Sequence, residues 1–194
     1  MLREIYSDKK ILLASQSPRR QELLKGLDID FEIVKIEADE SFPEHLVREE
    51  ITEFISKTKS ESFRPLDSDE ILITADTLVW LENEILGKPK NQEEAIEMLS
   101  LLSDSTHEVF TSVTVKSIRN IITFSDTTQV TFSAISEDEI NYYIENYKPF
   151  DKAGAYGIQE WIGFAKISRI QGCYYNVMGL PLHKLYSVLE SNEF

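Results

Sequence analysis

The sequence predicts an α/β fold built on a mixed β-sheet. Short apolar runs alternate with helical spacings in the N-terminal half, and helix-start signals recur behind them. Two long runs dense in Val, Ile, Thr and Phe, Val109 to Ile118 and Ile121 to Ala134, follow one another with only Arg119-Asn120 as a turn. Strands joined without an intervening helix pair antiparallel, whereas strands separated by one can run parallel, so the sheet is mixed.

The elements follow in order. Ile11-Leu12-Leu13-Ala14 is a short apolar run that fits a buried strand. It leads into Ser15-Gln16-Ser17-Pro18-Arg19-Arg20, which opens a helix reaching to Gly26. There Ser17 suits the N-cap, Pro18 the first helical position and Gly26 the position past the helix end. A second strand is predicted at Phe31-Glu32-Ile33-Val34. Leu46 to Phe63 has helical spacing, with Leu46, Ile51, Phe54 and Ile55 toward one side. Ile71 to Ala75 reads as a buried strand ending at Asp76, and Val79-Trp80-Leu81 and Ile85-Leu86 flank a hairpin turn. Asn91 to Glu94 and Ser136 to Glu139 are capping signals for helices through Leu102 and Asn146. A further β-rich stretch covers Ile162 to Ile170, and Leu182 to Leu189 closes the chain as a helix. No repeat or linker interrupts the 194 residues, which fit one domain, with or without two lobes around a cleft.

Composition narrows the function. The chain is 42% hydrophobic and 28% charged, enough apolar material for a core without staples. Cys173 is the single cysteine, so no internal disulfide forms and a reducing compartment is expected. Met1 to Lys10 lacks the apolar core of a signal peptide, and no run approaches the ~20 apolar residues that span a bilayer, so a cytoplasmic protein away from membranes is expected. Twenty Lys and Arg against 34 Asp and Glu give a net charge of −14, which argues against the dense basic face that nucleic-acid binding needs. A small polyanion can still bind where a few cations converge, so the placement of the cations decides.

Ser15 to Arg20 is the most informative segment. A strand-to-helix turn presents unpaired N–H groups and the positive end of a helix dipole, and Ser15, Ser17, Arg19 and Arg20 add two hydroxyls and two guanidiniums matched to phosphate oxygens. Arginine in a first helical turn is electrostatically unfavourable, which points to a role beyond solvation. Asp76, expected at the C-terminal end of a buried strand, can hold a divalent cation or activate water; read alone it fits a turn cap equally well. Lys88 sits between Gly87 and Pro89, held by two backbone punctuators, although a plain surface turn reads the same. Asp151 to Gln159 is a loop of small residues carrying Lys152, in which Gln159 can match a base edge with donor and acceptor, and an ordinary tight connection is its rival. His45, His107 and His183 lack zinc-ligand spacing, and Ser15 and Ser17 lack the G-x-S-x-G elbow of serine hydrolases.

Taken together these segments resemble the Maf family of nucleotide pyrophosphatases along nearly the whole chain. The matching residues are Leu13 through Arg20, Asp39-Glu40, Lys59, Ala75-Asp76-Thr77, Gly87-Lys88-Pro89, Thr106-His107-Glu108-Val109, Asp151 through Gln159, and Asn176 through Pro181. The resemblance implies one Maf-like domain over residues 1–194, with an elongated mixed sheet, flanking helices and two lobes around a central cleft, as in inosine-triphosphate pyrophosphatases. It leaves a homodimer open. It implies Asp76 as general base, Arg19, Thr77 and Gln159 as determinants of substrate choice at one end of the cleft, and membership of the branch that prefers dTTP and UTP. The sister branch acting on 7-methyl-GTP lacks the Ala-Asp-Thr and Gly-Ala-Tyr-Gly-Ile-Gln forms. Two departures stand out: Ser60 where the family usually has alanine, and Glu160-Trp161 in place of a glycine-rich continuation.

The expected chemistry is hydrolysis of dTTP, UTP or modified pyrimidine nucleotides to the monophosphate and pyrophosphate. Arg19, Arg20, Lys59, Lys88 and Lys152, with Ser15 and Ser17, are the expected phosphate-binding groups, joined by Mg²⁺ or Mn²⁺ near Glu40 and Asp76. Asp76 would deprotonate water for in-line attack on the α-phosphorus. The alternatives are the 7-methyl-GTP pyrophosphatase specificity and, from another class, a nucleotide-binding regulator of cell division without catalysis, which would need no general base.

Overall fold

The structure is a computed structural model that describes residues 1–191 and 193–194. Its strands are β1 (Lys10–Leu13), β2 (Phe31–Ile33), β3 (Glu70–Leu81), β4 (Glu84–Leu86), β5 (Thr106–Lys116), β6 (Ile121–Phe132) and β7 (Ile167–Gln171). They form one mixed sheet in the order β2-β1-β3-β5-β6-β7, with β4 paired to β3. The helices are α1 (Leu2–Ile5), α2 (Pro18–Lys25), α3 (Glu49–Glu61), α4 (Gln92–Leu102), α5 (Glu137–Tyr147), α6 (Trp161–Lys166), α7 (Tyr174–Val177) and α8 (Leu182–Glu190). Among the described residues no helix is long and apolar enough to cross a membrane.

The chain divides into two compact units, Met1–Asp76 with Thr111–Asp126 and Gly179–Phe194, and Thr77–Phe110 with Thr127–Met178. Strands β3, β5 and β6 each contribute residues to both. In the first unit β1 pairs parallel with β2 (Ile11 opposite Phe31) and with β3 (Leu13 opposite Ile73). All-buried runs such as Ile11 to Leu13 and Ile71 to Ile73 suit strands covered on both faces.

Helix α3 meets the sheet through hydroxyls. Its buried face carries Ile51 and Ile55 together with Thr52, Ser56 and Ser60. Thr52 Oγ1 lies 2.6 Å from Ser112 Oγ, Ser56 Oγ lies 3.1 Å from Thr114 Oγ1, and Thr74 Oγ1 donates to the Ser56 carbonyl at 2.7 Å. The sequence placed Leu46 and Phe54 on this face instead. Leu46 precedes the helix and Phe54 is 38% exposed. A buried stripe of paired hydroxyls is invisible to a pattern that tracks apolar residues only.

In the second unit, Val79, Leu99, Phe132, Tyr143, Ile158 and Ile162 belong to one buried apolar cluster, fed by strands, α4, α5 and the 151–160 loop. Both predicted caps form: Asn91 accepts from Glu94 N–H, and Ser136 with Glu139 makes a capping box. The β5–β6 hairpin is fixed by hydroxyl pairs, Thr106 with Thr131, Ser112 with Ser125 and Thr114 with Thr123, whose numbers run in opposite directions as an antiparallel register requires. The stretch expected as β from Ile162 to Ile170 is α6 as far as Lys166, and only Ile167–Gln171 is strand. A Cβ at residue 163 would lie 1.9 Å from the Ile158 carbonyl oxygen, so Gly163 admits a close approach that turns the chain helical against its β-branched neighbours. Gly26, expected at the position after the C-cap of α2, is itself the C-cap with φ −65°, and Asp28 takes the positive φ.

Strand β3 is introduced by a clasp. Arg64 donates to both carboxylate oxygens of Glu70 at 2.6 and 2.7 Å, and the Asp67 N–H adds a third bond at 2.9 Å. The guanidinium holds the buried Glu70 carboxyl at about 2, against an ordinary 4.5. A depressed carboxyl contributes stability that is complete above the unfolded value and lost as pH falls toward the folded one. The stability gap between wild type and Glu70→Gln is therefore expected to stay level from neutral pH to about pH 5 and to close toward pH 2. Denaturant melts across that range check it, and a gap independent of pH would contradict the clasp.

Candidate active site

The first unit gathers most of the charged candidates. Ala14 N–H donates to the Ile73 carbonyl at 2.9 Å, ending the parallel ladder, and the chain then turns into α2. Ser15 is buried; its Oγ accepts the Ser17 N–H at 3.2 Å and its carbonyl accepts Gln21 Nε2 at 3.1 Å. Ser17 and Pro18 occupy the N-cap and first helical positions as predicted, but the Ser17 hydroxyl does not cap the helix. Arg20 Nε donates to the Gly179 carbonyl at 2.7 Å and its Nη1 to the Ala75 carbonyl at 2.9 Å. Burial pushes the Arg20 guanidinium down, Asp76 and Glu40 pull it back up, and Arg19 adds to the downward push. Arg19, Arg20, Glu40 and Asp76 therefore share one electrostatic neighbourhood.

Asp76 does not end a strand, as its sequence context suggested. Strand β3 continues through it to Leu81, because β4 pairs with Val79 to Leu81 and extends the ladder. Its position still fits the underlying logic, since the parallel pairing with β1 stops at Ile73 and Asp76 lies beyond it. Side chains two apart on a strand share a face. Thr74 meets Ser56 on α3, and Asp76 meets Lys59 one turn further along the same helix. Lys59 Nζ lies 2.8 Å from Asp76 Oδ1 and 2.9 Å from Glu40 Oε1. Lys59 and Asp76 side chains are only 16% and 15% exposed, whereas Glu40 is 57% exposed on its loop.

Two carboxylate oxygens within 3 Å of one ammonium can also face one metal ion. Among the described residues no group of three or more His, Cys, Asp or Glu side chains forms a metal site. Two carboxylates suit a hard divalent cation of the Mg²⁺ type, which commonly takes one or two protein carboxylates and completes its shell with water and substrate phosphates. The donor set therefore fits the expected cation at Glu40 and Asp76.

The second unit holds the remaining candidates. Thr77 is half-buried on β3, and Lys88 is exposed beside Gly87, whose carbonyl accepts the Gly154 N–H at 3.0 Å. Lys152 is buried, with its ammonium 2.8 Å from Asp151 Oδ1 and 3.1 Å from Glu160 Oε1. Gln159 is half-buried, and its Oε1 is enclosed without a hydrogen-bond partner. His107 is enclosed as well, with Nε2 2.7 Å from Tyr156 Oη and its ring stacked on Phe132.

The supporting roles of several groups are not legible in the sequence. Gln21 holds the Ser15 carbonyl, Gly179 receives Arg20, and Ser56 seats the turn of α3 that bears Lys59. Tyr143 and Glu160 meet through a short hydrogen bond under the Gln159 loop. Tyr143 gives no signal of this in sequence, because an aromatic on the inner face of α5 looks like plain core.

The Maf-like protein family model matches residues 10–192. The chain is 52% identical over 195 residues to a dTTP/UTP pyrophosphatase of Flavobacterium psychrophilum, covering all of both chains. It is 50% identical over 190 residues to a dTTP/UTP pyrophosphatase of Flavobacterium johnsoniae, covering 97% of this chain and 98% of that one. A solved HAM1 protein from Coxiella burnetii matches 64% of this chain and 73% of its own at 16% identity with a TM-score of 0.40, a likeness on which nothing rests.

Burial pushes the His107 imidazole from 6.5 down to about 3. The unfolded chain takes a proton there below about pH 6.5 while the folded ring refuses it, so this histidine withdraws stability progressively as pH falls from 6.5 toward 3. The ring's NMR resonances are expected to keep their neutral-form shifts from pH 8 down to about pH 4. Titration of His107 between pH 6 and 7 would contradict that burial.

Proposed function

The chain belongs to the Maf family, and from that premise we propose that it is a nucleoside triphosphate pyrophosphatase hydrolysing dTTP and UTP to the monophosphate and pyrophosphate. The observation that carries the proposal is the Lys59 ammonium within 3 Å of both Asp76 and Glu40. That arrangement pairs a half-buried carboxylate suited to act as base with cations suited to a triphosphate, and the relatives named above point to the same substrates.

Asp76 orients the attacking water and takes its proton as the oxygen closes on the α-phosphorus in line with the departing pyrophosphate. Lys59 holds the Asp76 carboxylate in place at 2.8 Å and offers its third N–H to a phosphate oxygen. Arg19 supplies further positive charge, while Arg20, tied to two backbone carbonyls, contributes its charge from a fixed position. Ser15 and Ser17 line the turn where phosphate oxygens would meet hydroxyl and N–H groups, and Lys88 adds an exposed cation from the second unit. Lys152, compensated by two carboxylates, is assigned to holding its own loop. A divalent cation, Mg²⁺ or Mn²⁺, held by Glu40 and Asp76 would supply further charge neutralisation at the phosphates.

Substrate choice is assigned to Arg19, Thr77 and Gln159. Uracil and thymine present an N–H between two carbonyls, and that N–H satisfies the enclosed, unpartnered Gln159 Oε1. Cytosine presents a bare nitrogen at the same place and leaves the acceptor unpaired, at a cost of about 1–3 kcal/mol.

Three outcomes are expected. Phosphorus NMR of dTTP with enzyme and Mg²⁺ shows dTMP and pyrophosphate; dTDP with orthophosphate would place the cut at the wrong bond. Asp76→Asn lowers kcat by ~10²-fold or more with an unchanged fold, and near-normal turnover at saturating metal would remove Asp76 from its role. Gln159→Ala narrows the preference for dTTP over CTP and ATP by ~10-fold, and an equal loss on every nucleotide would contradict base reading.

A further inference from the structure

A buried relay holds the loop that carries Gln159. Tyr143 is fully buried on α5. Its Oη accepts the Gly157 N–H at 3.0 Å and donates to Glu160 Oε2. The other oxygen of Glu160 pairs with Lys152 Nζ at 3.1 Å, and Lys152 pairs with Asp151. Burial, reinforced by the bond to Glu160, pushes the Tyr143 phenol up, so it remains a donor at neutral pH. The backbone closes the same turn, with Glu160 N–H donating to the Gly157 carbonyl at 3.0 Å.

Gln159 thus lies inside a turn fastened at residues 157 and 160. A Cβ at 157 would stand 2.8 Å from Glu160 Cδ and 3.1 Å from Gln159 Nε2, so glycine is what lets both side chains close in. The polar atoms of the relay have partners, whereas Gln159 Oε1 has none. The turn is built to hold an acceptor that the protein itself does not satisfy.

We propose that Tyr143 and Glu160 are positioning residues for substrate choice, with the Tyr143–Glu160–Lys152 relay fixing the 157–160 turn so that Gln159 presents Oε1 to the nucleobase. The proposal rests on the reading that Gln159 selects the base.

The test compares kcat and KM for dTTP and ATP in wild type, Gln159→Ala, Tyr143→Phe, Glu160→Gln and the double variant Tyr143→Phe/Gln159→Ala. Tyr143→Phe removes one oxygen and is expected to lower the dTTP-to-ATP ratio of kcat/KM by ~10-fold, mainly through KM for dTTP, with kcat at saturating dTTP within about 2-fold of wild type. Glu160→Gln keeps the acceptor and is expected to retain more of the ratio than Tyr143→Phe does. Because the relay acts through Gln159, the double variant should be no less selective than Gln159→Ala alone. If Gln159→Ala lowers the ratio while Tyr143→Phe leaves it intact, or if the two losses add, the relay is overturned and base reading by Gln159 survives. If Gln159→Ala itself leaves the ratio unchanged, base reading falls and the relay falls with it. Should Tyr143→Phe fail to fold, Glu160→Ala carries the same comparison, with the same outcomes deciding.

Discussion

The ammonium of Lys59, shared between Asp76 and Glu40, is the constraint on which the first unit's chemistry depends. A lysine side chain carries large rotamer freedom, so holding it between two carboxylates requires that its helix be placed firmly. Hydroxyl pairing supplies that placement. Thr52 and Ser56 meet Ser112 and Thr114 across the α3–sheet interface, and Thr74 ties Ser56 to β3 two residues before Asp76. Hydrogen bonds of this kind are directional where apolar packing is not, and they fix the register of a helix along a strand as well as its distance. The Ser56-to-Lys59 spacing on α3 and the Thr74-to-Asp76 spacing on β3 then match.

The same constraint explains how so acidic a chain can address a polyanion. With a net charge of −14 the protein repels nucleotides at long range. Salt screens much of that repulsion beyond about 8–10 Å. What decides binding is the local balance, and there Lys59 lies against Glu40 and Asp76 while both carboxylates and Arg19 act on Arg20. Three cations against two carboxylates leave the neighbourhood close to neutral. Arg20 stays put because backbone carbonyls hold it, which provides charge without a cost of ordering when substrate arrives.

Much of this was legible in the sequence, and the gaps have physical causes. Mixed α/β class, the β5–β6 hairpin and the caps at Asn91 and Ser136 follow from periodicity and local hydrogen-bonding chemistry, which act over a few residues. Asp76, Lys59, Glu40 and Arg20 were each named as candidates, and the structure brings them together. Their supports were not legible. The hydroxyl face of α3 looks polar and therefore exposed, so helical spacing alone groups the exposed Phe54 with Ile51 and Ile55. The helical turn at Trp161 depends on Gly163 packing against Ile158, a tertiary contact that overrides β-propensity. Tyr143 looks like core, and its hydroxyl matters only because Gly157 and Glu160 reach it.

The most direct test of the central claim is a crystal structure with Mn²⁺ and α,β-methylene-dTTP, in which the bond to be cut is replaced by one that resists hydrolysis. The account predicts manganese, located by its anomalous signal, bound to carboxylate oxygens of Glu40 and Asp76, with Lys59 Nζ hydrogen-bonded to a phosphate oxygen. Manganese and triphosphate bound away from Glu40, Lys59 and Asp76 would contradict it.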